Sequence, residues 1–373
     1  MIILGIESSC DDTSVALIDI TEEKIEILAE KTASQIEIHK KYGGVVPEIA
    51  GRLHAEKILP VIEEVMKNQD NPDIIAVTSG PGLITGLLVG VETAKTLSHL
   101  WNVPIVSINH IEGHIYSVKI QKDEKVGKTE YPILSLVASG GHSELILSTE
   151  ESKYERVGGT RDDAAGECFD KVAKLLGFDY PGGPKISKYA EKGNPEAIEF
   201  PRPMINSKDF DFSFSGLKTS ALYWLQDNAK KNKDANTYNL KPKTLKDFCA
   251  SFEQAIVDLL VHKTIKAVKQ YKPKTVILGG GVSANKKLRD TLEEAIKKQF
   301  STSPRRGMPC GYTFLVPQPS YSMDNATMIA VTAYHHAKNK NFIQRHFFSS
   351  KKSGAGFTDW KDLKANPNWK IYE

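Results

Sequence analysis

Residues 1–20, MIILGIESSCDDTSVALIDI, decide the fold: two apolar runs, IILGIE at 2–7 and SVALIDI at 14–20, flank the polar turn SSCDDT. Short apolar runs bounded by small polar residues read as paired strands. The design returns at 133–148, where ILSLVA (133–138) and ELILS (144–148) flank SGGHS. The separation is too long for a solenoid repeat, so the recurrence predicts two related domains, each opening on a hairpin whose turn is suited to phosphate. Two ordinary hairpins are the other reading, because hairpins are common.

Working outward, strands alternate with helices. Residues 47–68 (PEIAGRLHAEKILPVIEEVMKN) carry apolar positions at helical spacing. IIAVTSGPGLITGLLVG at 74–90 reads as a strand, a Pro-Gly turn and a Gly-rich helix start. TVILGGGVSAN at 275–285 is a strand running into three glycines, with a helix from about Asn285. Alternation of this kind indicates an α/β fold. The 373 residues suit about two domains. The boundaries read as 1–125 and 126–335, the second domain carrying helical insertions and a last helix able to return to the first. A basic and aromatic tail follows at 336–373, including Phe342, Arg345, Phe347, Trp360 and Trp369. Such a tail suits either RNA contact by charge and stacking or simple surface packing. The lysine-rich stretch 226–247 reads as a solvated face, with a tRNA contact as the alternative. Residues 301–313 (STSPRRGMPCGYT) read as a Pro/Gly loop.

Composition excludes several classes. Hydrophobic residues are 40% and charged residues 25%, which argues against disorder, and a net charge of +3 does not force a large nucleic-acid footprint. Cys10, Cys168, Cys249 and Cys310 are far apart with no C-x-x-C pair, so they read as reduced thiols in a cytoplasmic protein. The N-terminal run looks like a strand rather than a signal peptide, and no stretch approaches the ~20 apolar residues of a membrane span.

The polar motifs carry the chemistry. In NHIEGHIYS (109–117), His110 and His114 are four apart, so a helix turns both imidazoles to one side where they can share a metal. Such a pair without a third ligand is more often an ordinary surface or core pair. Glu112 is one place away from the zincin base position, which disfavours a zinc protease. Asp324, in SYSMDNATMIA (320–330), is the third ligand candidate, although an Asp just before a small-residue helix is first an N-cap. Imidazole with carboxylate suits iron or zinc better than magnesium. Gly279, Gly280 and Gly281 end a strand and let a nucleotide approach the main chain, yet they are not the dinucleotide fingerprint. Ser139, Gly140 and Gly141 can form an anion-binding nest. In RDDAAGECFDKVAKLLG (161–177), Asp162 and Asp163 read as helix caps. Asp170 reads as either a ribose ligand or a helix-surface acid. YPGGP at 180–184 is a tight turn.

Taken together, GIESSCDDTSVAL, HKKYGGVVPEIAGRLH, TSGPGLITGLLVG, NHIEGHIYS, SLVASGGHSELI, DDAAGECFDKVAKLLGFDYPGGP, FPRP, DFSFSGLKT, ILGGGVSAN and SMDNATMIA resemble the tRNA N6-adenosine threonylcarbamoyltransferases of the bacterial and mitochondrial (TsaD) type, once described as sialoglycoprotein endopeptidases. The runs occur in family order from residue 1 to about 335. The turn reads SSCDDT where TSCDET is frequent, ASGGHS where VSGGHT is, and no Arg-Pro-Arg-Trp-like ending follows Phe342.

The resemblance implies two actin-like domains, of the RNase H-like superfamily of sugar kinases and heat-shock ATPases, with a nucleotide cleft between them. It implies metal ligands His110, His114 and Asp324, holding one divalent ion per subunit, Fe(II) favoured and Zn(II) possible. It implies a substrate-binding strip Val137, Ala138, Ser139, Gly140 and Gly141, ribose contacts from Asp170 and Gly183, an adenine-side contact from Asn285, and a carboxylate important for activity at Asp11. The co-substrate is threonylcarbamoyl-AMP and the acceptor is tRNA. Implied partners are a degenerate paralogue (TsaB-like) and a small ATPase (TsaE-like) in a bacterium, or a second copy of the chain in a mitochondrial-type enzyme. An actin-fold kinase, a zinc peptidase and a non-catalytic scaffold are the rival classes. A kinase of this fold does not need the histidine pair, and the scaffold paralogue lacks the metal ligands.

Overall fold

The computed structural model describes residues 1–121, 126–232, 235–301, 312–338, 357–358 and 360–372. From the N-terminus come β1 (Ile2–Glu7), β2 (Asp12–Ile20), β3 (Ile25–Ser34), the short α1 (Ile36–His39), α2 (Pro47–Met66), β4 (Ile74–Gly80), α3 (Ile84–Trp101), β5 (Ile105–Asn109) and α4 (His110–Tyr116). There follow β6 (Ile133–Ala138), β7 (Ser143–Glu150), β8 (Lys153–Gly159), α5 (Ala165–Leu175), α6 (Gly183–Ala190), α7 (Ser215–Asn228), β9 (Lys230–Asn232), β10 (Thr237–Asn239) and α8 (Pro242–Tyr271). The chain closes with β11 (Thr275–Gly279), α9 (Lys286–Ser301), β12 (Thr313–Leu315), α10 (Ala326–Lys338) and β13 (Phe357–Thr358).

The recurring hairpins are two copies of one sheet. The first sheet has the order β13-β5-β4-β1-β2-β3 and the second β12-β11-β6-β7-β8. Without β13 the two orders coincide. So do the strand senses: β1 runs antiparallel to β2 and parallel to β4, and β6 runs antiparallel to β7 and parallel to β11. Both hairpins turn at the expected places, Ala138 ending one strand and Ser143 opening the next.

The chain divides into two compact units, Met1–Lys128 with Pro317–Glu373, and Thr129–Val316. The second change of unit thus falls at 316/317, ahead of α10. The cause is visible at Gly5 of β1, where an added Cβ would stand 2.3 Å from the Ala326 carbonyl oxygen and 3.1 Å from Ala330 Cβ. Only small residues let α10 lie this close to the strand. The tail also differs from a separate segment: Leu363 is buried, and Trp360 and Ala365 pack with it against the core of the first unit.

Strand periodicity sorts the first unit into two faces. Leu4, Ile6, Ile75 and Val77 join Ile58, Val61, Val65, Val91 and Ala94 on the face that takes α2 and α3. Ile3, Ile74, Ala76, Val106 and Ile108 join Met328, Ile329 and Ala333 on the face that takes α10. Successive side chains alternate across a strand, so Glu7 and Thr78 lie on the α10 side. In the second unit Phe169, Phe200, Phe248 and Phe252 interlock edge-to-face at the centre of the core.

One local expectation is corrected. Ala164, not Asp162 or Asp163, stands before α5. Asp162 Oδ1 instead accepts from Phe214 N at 2.8 Å and Ser215 N at 3.0 Å, supporting the start of α7, while Asp163 pairs with Lys171 and Lys218. Part of the lysine-rich stretch forms the β9–β10 hairpin, with Lys230, Lys231 and Asn232 all exposed. Most of the 301–313 loop lies outside the described residues. Among those described, no helix is long and apolar enough to cross a membrane.

Candidate functional site

In the first unit, the last residue of β5 starts the helix that carries both histidines. Asn109 Oδ1 accepts from Ile111 N at 2.9 Å and from Glu112 N at 3.4 Å, so its side chain caps α4. All seven residues of α4 are buried. His110 and His114 follow each other by one turn, with ring centroids 4.7 Å apart at 77°.

Asp324 and Asn325 divide two tasks that the sequence left open on Asp324. Asn325 Oδ1 accepts from Met328 N at 2.8 Å and so caps α10. Asp324 Oδ1 lies 3.2 Å from His114 Nε2 and 3.5 Å from His110 Nε2. One ligand atom from each of the three residues falls within 4.8 Å of the others, and among the described residues this is the group able to hold a metal ion.

Burial tests whether an ion fits. His114 is fully buried, yet neither ring nitrogen has a hydrogen-bond partner; the Asp324 oxygen is close enough for an ion pair but lacks hydrogen-bond geometry. A buried imidazole left in this state is costly. A cation shared by two imidazoles and a carboxylate removes the cost, and that donor set suits iron(II) or zinc.

Glu7 completes the arrangement and was not singled out in the sequence. Its Oε2 accepts from Thr78 Oγ1 at 2.6 Å and lies 3.1 Å from His110 Nδ1, while its Oε1 accepts from Ser9 N at 2.6 Å. A carboxylate on Nδ1 leaves Nε2 to face an ion. Burial lowers the pKa of His110, but the charges of Glu7 and Asp324 and the hydrogen bond to Glu7 outweigh it and raise the metal-free value to about 9. Burial would raise Glu7, and the attraction of His110 holds it below the usual carboxylate range. The one available signal was a lone carboxylate ending the apolar run IILGIE.

Asp11 and Asp12 follow in the same turn. His54 of α2 steadies it, with Nδ1 2.8 Å from Thr13 Oγ1 and Nε2 3.0 Å from the Cys10 carbonyl. Asp11 is buried, and its main-chain oxygen accepts from Gln35 N. Burial, then the charges of Asp11, Asp324 and Glu7, push Asp12 up to about 7 against a hydrogen bond from Ser34.

The second unit gathers the remaining residues. Val137 and Ala138 end β6 in the core, and the turn after them is tied by Ser139 N to the His142 carbonyl at 2.7 Å and His142 N to Ser139 Oγ at 3.1 Å. A Cβ added at Gly140 or Gly141 would meet nothing within 4 Å, so this turn is open. Gly280, at φ 83°, passes so close to Ala138 that a Cβ would stand 2.4 Å from its carbonyl oxygen. The Gly279–Gly281 run and the 139–141 turn are therefore neighbours. Asp170 Oδ1 accepts from Gly182 N at 2.7 Å and Gly183 N at 3.4 Å. Asn285 is more occupied than a ligand contact requires. Its Oδ1 caps α9 through Leu288 N, and its Nδ2 donates to Ser187 Oγ and to the buried Glu253.

The sequence model of the family described as TsaD, tRNA N6-adenosine threonylcarbamoyltransferase, matches residues 26–331. The chain belongs to the TsaD family. A tRNA N6-adenosine threonylcarbamoyltransferase of Listeria monocytogenes is 43% identical over 370 residues, which span 98% of this chain and 95% of that protein. The proteins of the same description from Thermosipho melanesiensis and Bacillus subtilis are 45% and 44% identical, over 90% and 88% of this chain and 94% and 89% of their own lengths. The likeness thus reaches beyond residue 335 and into the tail, further than the sequence motifs alone carried it. Like its relatives, this TsaD-family chain is a transferase acting on tRNA. Among solved structures, full-length HypF in its phosphate- and nucleotide-bound form aligns with a TM-score of 0.55 at 13% identity over 91% of this chain, and T. kodakarensis HypF with 0.56 at 14% over 90%. This chain spans about half of each, 47%, and the likeness shows the fold alone.

Proposed function

We propose that this TsaD-family chain moves the threonylcarbamoyl group of threonylcarbamoyl-AMP to N6 of the adenosine on the 3′ side of the anticodon, in tRNAs that read codons starting with A. The observation that carries the reading is the convergence of His110, His114 and Asp324 around the unpartnered nitrogens of a buried His114. These three residues would hold the divalent ion, iron(II) before zinc. A bound ion supplies Lewis-acid polarisation of a donor oxygen and a fixed template.

The protein's own groups do the rest. Glu7 fixes the His110 ring. The open main chain of Ser139–Gly141, continued from Val137 and Ala138, receives the donor's phosphate and carbamoyl oxygens; an aligned amide of this kind is worth about 3 kcal/mol against developing negative charge. Asp170, oriented by Gly182 N and Gly183 N, accepts from the ribose hydroxyls beside Gly183. Gly279–Gly281 let the nucleoside approach the main chain, and Asn285 shapes the adenine side. The N6 lone pair attacks the carbamoyl carbon, the carbon–oxygen bond to phosphate breaks, and AMP leaves with that electron pair. Asp11 takes the N6 proton. Bases of an anticodon loop are unpaired and can be turned out to be reached. The setting is the cytoplasm. A TsaB-like paralogue and a TsaE-like ATPase are the partners in a bacterium, and a second copy of the chain in a mitochondrial-type enzyme.

The test is reconstitution of the metal-loaded protein with threonylcarbamoyl-AMP and unmodified tRNA, with and without the partner proteins. Nucleoside mass spectrometry reads threonylcarbamoyladenosine. Product lost in His110→Ala and Asp324→Ala supports the reading. Folded, metal-loaded protein that yields none in either arm sinks it.

A further inference from the structure

The tail is the part of the chain that the reaction leaves without a task. Its described end is docked, and the docking is concentrated around the metal centre's supports. Phe357 and Thr358 pair with Val106 and Ile105 of β5. Trp360 lies over His99, with ring centroids 4.8 Å apart, and Leu363 is 3% exposed. Beyond this anchor the main chain makes three directed hydrogen bonds. Asn366 N donates to the Ser79 carbonyl at 2.7 Å, Gly82 N donates to the Pro367 carbonyl at 3.2 Å, and Asn109 Nδ2 donates to the Trp369 carbonyl at 3.2 Å. The approach is so close that a Cβ on Gly80, at φ 152°, would overlap the Asn366 carbonyl oxygen.

Both routes from these contacts end at His110. Asn109 directly precedes it and caps its helix with Oδ1, so one amide holds α4 on one side and the tail on the other. The second route passes through the turn after β4. Ser79 adjoins Thr78, which bonds Glu7, and Leu83 N donates to the Ser9 carbonyl at 2.7 Å. Ser9 Oγ lies 3.2 Å from His110 Nδ1.

We infer that Trp360–Trp369 is a positioning strap that sets the His110 ring for metal binding by holding Asn109 and the Ser79–Gly82 turn. This rests on the metal reading above. The strap touches no reacting atom; it acts through Asn109 and Ser9 on the ring that a carboxylate already orients.

The probe is Co(II), read by chelator competition and by its visible d–d bands, which report ligand geometry. Three variants of the full chain are compared: Leu363→Asp, which expels the strap; Asn109→Ser, which keeps a cap oxygen but cannot reach the Trp369 carbonyl; and Val65→Ala, a cavity in the same core away from the site. Faster tryptic cleavage at Lys361 and Lys364 verifies that the strap has come off. The expected result is a tenfold or greater loss of Co(II) affinity in Leu363→Asp and a three- to tenfold loss in Asn109→Ser, with altered bands in both and neither effect in Val65→Ala. A chain ending at residue 356 should regain its affinity when a peptide of residues 357–373 is added. Affinity and bands unchanged in Asn109→Ser overturn the strap, as does a loss in Val65→Ala that matches its loss of stability. Wild-type protein that takes up no Co(II) removes the metal reading itself, a failure distinct from the other two.

Discussion

A carboxylate sealed under an apolar strand survives only where donors surround it. Glu7 has three neighbours of that kind in Thr78 Oγ1, Ser9 N and His110 Nδ1. Glu7→Gln keeps the shape and removes the charge that holds the proton on Nδ1, so metal affinity should fall about 10- to 100-fold by chelator competition. Unchanged affinity would confine Glu7 to folding. Asp12 offers a pH test in metal-free protein. Its folded pKa of about 7 stands above the ordinary carboxyl value, so the folded chain keeps a proton that the unfolded chain has released. Stability from this group is full below about pH 4 and is lost as pH rises towards 7. Asp12→Asn should match wild type near pH 4 and exceed it by about 1–2 kcal/mol at pH 8, less than the whole shift would give because the group is partly exposed. Thermal melts at the two pH values check it, and an equal offset at both would refute the assignment. The two histidines were legible because spacing alone places them on one helical side. Glu7 was not, because only the pairing of β1 with β4 and the docking of α4 reveal what it faces.

Elements differ in how far local sequence determines them. Both hairpins, α2, and the strand, turn and helix start at 74–90 follow from apolar periodicity and turn residues, and the structure has them within a few residues. What periodicity cannot carry is a partner far along the chain. Asp162 looked like a cap for the helix beside it, and it serves α7 about fifty residues on. The turn after β6 can be tested as an element. Gly140 is open and is not at positive φ, so Gly140→Ala should alter stability by no more than about 0.5 kcal/mol. If the turn receives the donor, the new methyl should raise the KM for threonylcarbamoyl-AMP several-fold at unchanged Tm. An unchanged KM would take the donor away from this turn. The cap of α10 predicts the opposite pattern: Asn325→Ala should cost about 1 kcal/mol in chemical unfolding.

At the scale of the whole chain, one sheet order is used twice, but the two units are not equivalent in chemistry. The duplication was legible in two short hairpins, and the return of the last helix was left open by them; the place of the return, at Pro317, was not legible, since nothing local in SYSMDNATMIA says that α10 must lie on Gly5. That return is what brings Asp324 to His110 and His114, across more than two hundred residues of sequence. Every candidate ligand therefore belongs to Met1–Lys128 with Pro317–Glu373, and the cores of the two units share no residue. A ligand stabilises the structure it binds by RT ln(1 + [L]/Kd), about 2.7 kcal/mol at a hundredfold excess over Kd. Adding zinc to metal-free protein should then slow hydrogen exchange in peptides from β1, β4, α4 and α10, and leave β6, β11 and α8 near their metal-free rates. The slowing should disappear in His114→Ala. Equal slowing in both units would mean that Thr129–Val316 also contributes to holding the ion, and the three-residue site in the first unit would have to be enlarged.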